Sequence, residues 1–119
     1  MGHVRVTVEI TNPSDRRRTV TIPDALVDTG ATRTTITRAI ADQLGLEIIG
    51  SQDIRTADGV HAIYQSYAMI TLEGRRSFND IWVSDSYPGV LIGVITLEAL
   101  SLAVDPKGER LVNVESLLL

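Results

Sequence analysis

The stretch Ala25-Leu26-Val27-Asp28-Thr29-Gly30-Ala31 constrains this chain more than any other part of it. Ala25, Leu26 and Val27 form a short apolar strand, expected to be buried on both faces, that delivers a carboxylate into a tight Thr-Gly turn. Further along, Val90-Leu91-Ile92-Gly93 repeats the device as an apolar run ending in glycine. A carboxylate held at the end of a core strand is preorganised, and Gly30 lets the backbone come close beneath it with its N–H pointing toward it. The sequence contains a single Asp-Thr-Gly.

The surrounding pattern is mostly β. Val4, Val6, Val8 and Ile10 alternate with Arg5, Thr7, Glu9 and Thr11, placing the apolar residues on one face. Asn12-Pro13-Ser14-Asp15 is dense in turn formers and Thr19-Val20-Thr21-Ile22 resumes the alternation, so the two runs read as a hairpin. Pro23-Asp24 then breaks the pattern. Thr34-Thr35-Ile36 reads as extended, and Thr37 is an N-cap for a short helix over Arg38–Leu44 that Gly45 stops. Asp53-Ile54-Arg55-Thr56-Ala57 and Val60-His61-Ala62-Ile63-Tyr64 flank Asp58-Gly59, a pair suited to the φ > 0 turns of hairpins. A second hairpin runs over residues 67–72, turns at Glu73-Gly74 and returns through Ser77 to Val83. Residues 97–100 read as a second short helix. Asp105-Pro106-Lys107-Gly108 links Leu102-Ala103-Val104 to Arg110-Leu111-Val112. With no linker or low-complexity stretch, residues 1–119 read as one domain.

Composition narrows the function classes. Apolar residues make up 44% and charged residues 22% of the 119 positions, which suits a folded core. Without cysteine, disulfides, thiolate zinc sites and cysteine nucleophiles are excluded. A formal charge of -4 argues against nucleic acid as the main partner, and aromatic residues at 4% offer no stacking platform for single strands. Arg5 and Glu9 interrupt the first apolar stretch, so no signal peptide is read there. No apolar run approaches the roughly 20 residues of a membrane span. The expectation is a soluble, cytoplasmic protein.

An internal echo accompanies the two glycine turns. Leu26-Val27-Asp28-Thr29-Gly30 is followed by Ile40-Ala41 and Leu44-Gly45-Leu46, and Leu91-Ile92-Gly93 by Leu97, Ala99-Leu100 and Leu102. Each half reads as buried strand, glycine turn, short helix. Together with Ala57-Asp58-Gly59 between them and Val104-Asp105-Pro106 after them, these residues resemble the retroviral-type (retropepsin-like) aspartic proteases of clan AA over nearly the whole chain. The small single-domain bacterial members match most closely.

That resemblance implies an all-β fold with one or two short helices: a closed acid-protease barrel, one lobe per chain. It implies an aspartic endopeptidase with no metal or other cofactor, acting on extended peptide or protein substrates. Because each chain has one Asp-Thr-Gly, the enzyme would be a symmetric homodimer with one Asp28 from each subunit in its catalytic pair. Two carboxylates about 3 Å apart hold one proton between them, so one activates water while the other donates to the carbonyl. Thr29, Gly30 and Ala31 would shape the active-site loop, Thr29 bonding across the two-fold axis. Leu91, Ile92 and Gly93 would support it, and Ala57, Asp58 and Gly59 would form a flap over it. Val4-Arg5-Val6 and Leu111-Val112-Asn113-Val114 match segments that interleave at the dimer interface of viral relatives.

Departures from the family pattern carry expectations of their own. Pepsin-type relatives usually have serine where Ala31 stands. Losing that hydroxyl donor implies an activity optimum at mildly acidic to neutral pH rather than below about pH 3. Asp58 brings a charge to the flap. Viral enzymes often place an arginine after the second glycine and pair it with an aspartate past the catalytic turn; here Val94 and Thr32-Arg33 stand there, so that brace is expected to be missing.

Other features read plainly. Arg16-Arg17-Arg18 is a solvated hairpin tip, His3 and His61 have no clustered metal ligands, and Trp82 and the tyrosines are core or pocket wall. Leu117-Leu118-Leu119 reads equally as a docking segment or a frayed end. The competing readings are a non-catalytic dimeric peptide-binding module with the same fold, and a dormant protease that needs a partner to assemble.

Overall fold

Strand alternation builds the first hairpin. β1 (Val4–Asn12) pairs antiparallel with β2 (Asp15–Val27), burying Val4, Val8 and Ile10 while Arg5, Thr7 and Glu9 face solvent. The computed structural model describes residues 4–105, 107 and 109–114. Pro23-Asp24 does not end the strand, contrary to expectation. Val6 and Val8 of β1 face Ala25 and Ile22 of β2, so two steps on one strand span three on the other. The proline thus sits in a β-bulge, where the ladder asks no N–H of it. Arg5 Nη1 and Thr7 Oγ1 donate to the Asp24 and Pro23 carbonyls at 3.0 and 3.3 Å, and Ala25 and Val27 beyond the bulge are buried.

β3 (Thr35–Thr37) leads straight into α1 (Arg38–Leu44). The expected caps are both present: the Ile40 N–H donates to Thr37 Oγ1 at 3.1 Å, and Gly45 turns left-handed at φ 67°. Ala41 and Leu44 face the core.

The middle of the chain differs from its sequence reading. β4 (Gly50–Thr56) pairs with β5 (Gly59–Leu72), and residues 63–72 of β5 pair with β6 (Arg75–Ser84). The two expected hairpins therefore share one continuous 14-residue strand, since no glycine or proline interrupts residues 60–72. The first turn is formed by Ala57 and Asp58, with Thr56 facing Gly59. Gly59 takes the positive φ, 123°, while Ala57 and Asp58 do not, so the glycine closes the turn instead of occupying its tip. At the second turn Glu73 and Gly74 both have positive φ, 54° and 72°, the backbone of a tight two-residue hairpin.

β7 (Leu91–Ile92) runs parallel to β2 and antiparallel to β3, which in turn lies parallel to β6. The order β1-β2-β7-β3-β6-β5 closes on itself because residues 9–11 of β1 also pair with residues 69–71 of β5. That ring is the closed barrel expected from the sequence, with β4 flanking it; Ile10, Ile36, Ile70, Ile81 and Ile92 of its strands and Leu44 of α1 are fully buried in one core. α2 (Val94–Ala99) starts three residues earlier than its apolar pattern indicated, directly after Gly93.

β8 (Leu102–Asp105) and β9 (Arg110–Asn113) form a separate two-stranded sheet. Among the described residues, residues 4–6 of β1 pair only with β2, and β9 pairs only with β8. Each of these segments thus keeps one open edge. Pro106 and Gly108 of the anticipated turn, His3, and Leu117-Leu118-Leu119 lie outside the described residues. Among the described residues, no helix is long and apolar enough to cross a membrane.

Candidate active site

The carboxylate turn is fixed by two parallel neighbours. Leu26 and Val27 lie in register with Leu91 and Ile92. The Leu26 and Asp28 N–H groups donate to the carbonyls of Val90 and Ile92, both at 3.0 Å. The chain then folds back on itself: the Gly30 N–H donates to Asp28 Oδ1 at 2.9 Å and the Ala31 N–H to the Asp28 carbonyl at 3.1 Å. Asp28 is half-buried, whereas Thr29 and Gly30 are exposed at the tip.

Gly93 packs against the exit of this turn. The Val94 and Ile95 N–H groups donate to the Ala31 and Thr32 carbonyls at 2.8 and 2.9 Å. A Cβ on Gly93 would stand 2.5 Å from the Arg33 carbonyl carbon, 2.7 Å from its oxygen and 2.8 Å from the Thr32 oxygen. This glycine is required by close backbone approach.

Beneath both turns lies a buried hydroxyl chain that no sequence pattern singles out. Thr34 Oγ1 and Thr96 Oγ1 are 2.6 Å apart, the Gly93 N–H donates to Thr34 Oγ1 at 3.1 Å, and Thr96 Oγ1 donates to Asn79 Oδ1 at 3.3 Å. The chain joins the exit of the Asp28 turn to Gly93, α2 and β6. Thr34→Val keeps the shape but strands the Gly93 N–H and removes the bond between Thr34 and Thr96, which keeps only its bond to Asn79, and is expected to cost about 2 kcal/mol. Urea unfolding measures this, and Thr34→Ser should recover most of the loss.

A cleft of about 560 Å³ opens beside the turn. Gly30, Ala31, Thr32 and Arg33 form its floor; Thr35, Ile63, Trp82, Ser84 and Leu91 are its wall; Ser86 and Tyr87 stand at its side. Ile54, Arg55, Thr56, Asp58 and His61 of the β4–β5 hairpin complete its lining. Asp58 is the member of the anticipated flap triad that lines the cleft, and Ala57 and Gly59 complete the turn behind it. Of the three supporting residues, Leu91 lines the cleft while Ile92 and Gly93 are buried behind it.

Arg33 finds a partner other than the brace of the viral pattern: its Nε lies 3.2 Å from Asp80 Oδ2, and its guanidinium stands 5.7 Å from the Trp82 ring centroid. Sequence reading missed Arg33, His61 and the cleft role of Ile54 and Ile63, which come from separate segments. The available signal was alternation, since residues 61 and 63 share one strand face and residues 82 and 84 another. Among the described residues, no group of three or more His, Asp or Glu side chains could hold a metal ion.

The family model described as gag-polyprotein putative aspartyl protease matches residues 20–99, spanning the Asp28 turn, the β4–β5 hairpin and Gly93. The chain belongs to that family. The same retropepsin-like fold is found in solved structures. EIAV protease, determined with the inhibitor HBY-793, is 21% identical, with a TM-score of 0.60 over 82% of this chain and 86% of that one. A retropepsin-like aspartic protease from Rickettsia conorii is 20% identical, with a TM-score of 0.56 over 87% and 77%. The retroviral protease-like domain of Ddi1 from Leishmania major is 18% identical, with a TM-score of 0.60 over 92% and 88%. A Legionella pneumophila protein of unknown function, 14% identical, shares the fold at a TM-score of 0.52 over 87% and 92%. No curated protein sequence gives a significant match.

Proposed function

We propose that this chain is an aspartic endopeptidase that works as a symmetric homodimer. The observation carrying this reading is the Asp28 carboxylate, oriented by the Gly30 N–H at 2.9 Å on an exposed turn whose Gly30 and Ala31 line a cleft. A single chain supplies one such carboxylate, and the chemistry needs two. A two-fold axis through the exposed Thr29-Gly30 tips brings a second Asp28 alongside the first, with each Thr29 hydroxyl free to bond across the axis. The pair shares one proton. The ionised carboxylate takes a proton from water, whose oxygen attacks the peptide carbonyl carbon as the protonated partner donates to the carbonyl oxygen. Collapse of the tetrahedral adduct breaks the C–N bond, with a proton passing to the leaving nitrogen.

Ala31, Leu91, Ile92 and Gly93 support the loop in this reading, and Asp58 with Ala57 and Gly59 covers an extended substrate. The open edges of β1 and β9 supply the subunit contact. Because Ala31 carries no hydroxyl, activity is expected to peak at mildly acidic to neutral pH; a peak below about pH 3 would contradict this role.

Subunit mixing tests the shared site. Wild type exchanged with an equal amount of Asp28→Asn should fall to about half its activity on a peptide pool, because random pairing leaves half of the wild-type chains with a wild-type partner. Unchanged activity after verified exchange would mean that one chain acts alone.

A further inference from the structure

The face of the β5–β6 ribbon that lines the cleft does not stop at the cleft. On β5, His61 and Ile63 line it; the next residues on that face, Gln65 and Tyr67, line a second cavity of about 150 Å³. On β6, Ser84 and Trp82 line the cleft and Asp80 continues into the second cavity. A third cavity, of about 330 Å³, takes over at Tyr67 and Phe78. Adjoining cavities share walls: Arg33 and Trp82 belong to the first and second, Tyr67 to the second and third. Cross-strand register makes this one surface, with Gln65 opposite Trp82, Tyr67 opposite Asp80 and Met69 opposite Phe78.

Beyond the polar Gln65, Asp80 and Arg33, this track carries exposed large apolar side chains where a monomer's outer sheet face is usually polar. Tyr67 and Phe78 stack with ring centroids 5.4 Å apart and remain 41% and 58% exposed. Ile49, 49% exposed, walls the second cavity and is held beside β5 by its N–H to the Gln65 carbonyl at 2.8 Å.

We infer that this track is an exosite for the substrate polypeptide itself, holding the flank of an extended chain after it leaves the cleft, with a large apolar side chain of that flank against Tyr67 and Phe78. The inference rests on the protease reading above and extends it. Continuity decides the occupant: the surface opens from the cleft through shared walls, so a chain leaving past Trp82 runs onto it. Phe78 lies four residues beyond Trp82 on β6, roughly 13 Å along an extended strand, so about four further substrate residues reach the stack. In a symmetric dimer each end of the cleft has its own track, and both substrate flanks are read.

The test starts from a proteome-derived peptide library digested by the wild-type dimer. The best-cleaved sequence is then made as a short core and with flanks of eight residues bearing Leu and Phe. KM for the flanked peptide should be about tenfold lower than for the core, the effect of burying one such side chain, with kcat unchanged. Tyr67→Ser/Phe78→Ser should erase that difference and cleave the core as wild type does. The single Phe78→Ser, at an exposed strand position, should lose part of it.

Equal KM values in wild type, or a flank advantage that survives in both variants, would overturn the inference while leaving the protease intact. Loss of the dimer on sedimentation of the double variant would overturn it in favour of a second copy of the chain on this face. Failure of the wild-type dimer to cleave any library member would instead remove the protease reading, and the exosite with it.

Discussion

Asp28→Asn should lower kcat for peptide hydrolysis by at least about a thousandfold, the upper part of what a positioned acid–base group contributes. The amide retains an oxygen to accept the Gly30 N–H, so the 2.9 Å bond that shapes the turn survives. What disappears is the shared proton: an amide neither accepts one from water nor donates one to the carbonyl oxygen. The fold should be indifferent, because the strand below is anchored by backbone bonds from Leu26 and Asp28 to Val90 and Ile92, which the substitution does not touch. The informative measurement is therefore a pair: turnover by mass spectrometry of new peptide termini from pH 3 to 8, and urea unfolding of the same samples. Cleavage lost at unchanged stability supports Asp28 as the acting group. Equal cleavage by both proteins would mean that the reaction belongs elsewhere, and no cleavage by a verified wild-type dimer would favour a peptide-binding module.

Gly93→Ala should destabilise the fold by about 3 kcal/mol, the upper end for overpacking a close-packed site. The three atoms that the new methyl group would meet, at 2.5 to 2.8 Å, belong to the backbone of Thr32 and Arg33. Backbone cannot rotate aside as a flexible side-chain end can. Either the Asp28 turn or α2 must move, and the movement breaks the Val94 and Ile95 bonds to Ala31 and Thr32. Activity should therefore fall further than stability explains, visible at a denaturant-free temperature where the variant is still folded. Gly74→Ala gives the contrast: a Cβ there meets nothing within 4 Å, although its φ of 72° carries a backbone cost. A Gly93→Ala protein as stable and active as wild type would mean that the two turns are not packed as tightly as their bonds indicate.

The elements most legible in the sequence were those fixed by local chemistry. Thr37 and Gly45 bracket α1 because a hydroxyl satisfies a free N–H at one end and glycine tolerates left-handed φ at the other. Glu73-Gly74 turns where its residue types permit it. The internal echo was legible in part: β2 and the Asp28 turn lead to α1 through β3, whereas β7 leads through Gly93 directly into α2. Misreadings fell where context overrode local preference. Proline normally ends a ladder, yet a bulge absorbed Pro23, and β5 runs unbroken because β4, β1 and β6 all pair with parts of it.

The sequence by itself determined the β pattern, the strand that presents Asp28, and the two glycines on which the turns depend. The pattern and the strand are set by neighbours within a few residues, through side-chain period and turn preference, whereas Gly93 must lack a Cβ because the Thr32 and Arg33 backbone packs against it from far along the chain. Only the tertiary structure decided that Arg33, His61 and Trp82 share a cleft with that turn, that Arg33 pairs with Asp80, and that Thr34 reaches Thr96. Alternation states which residues share a face of one strand, but not which faces meet. That is settled when residues 9–11 pair with residues 69–71 and close the barrel, bringing the residues that line the cleft together from segments far apart in the chain.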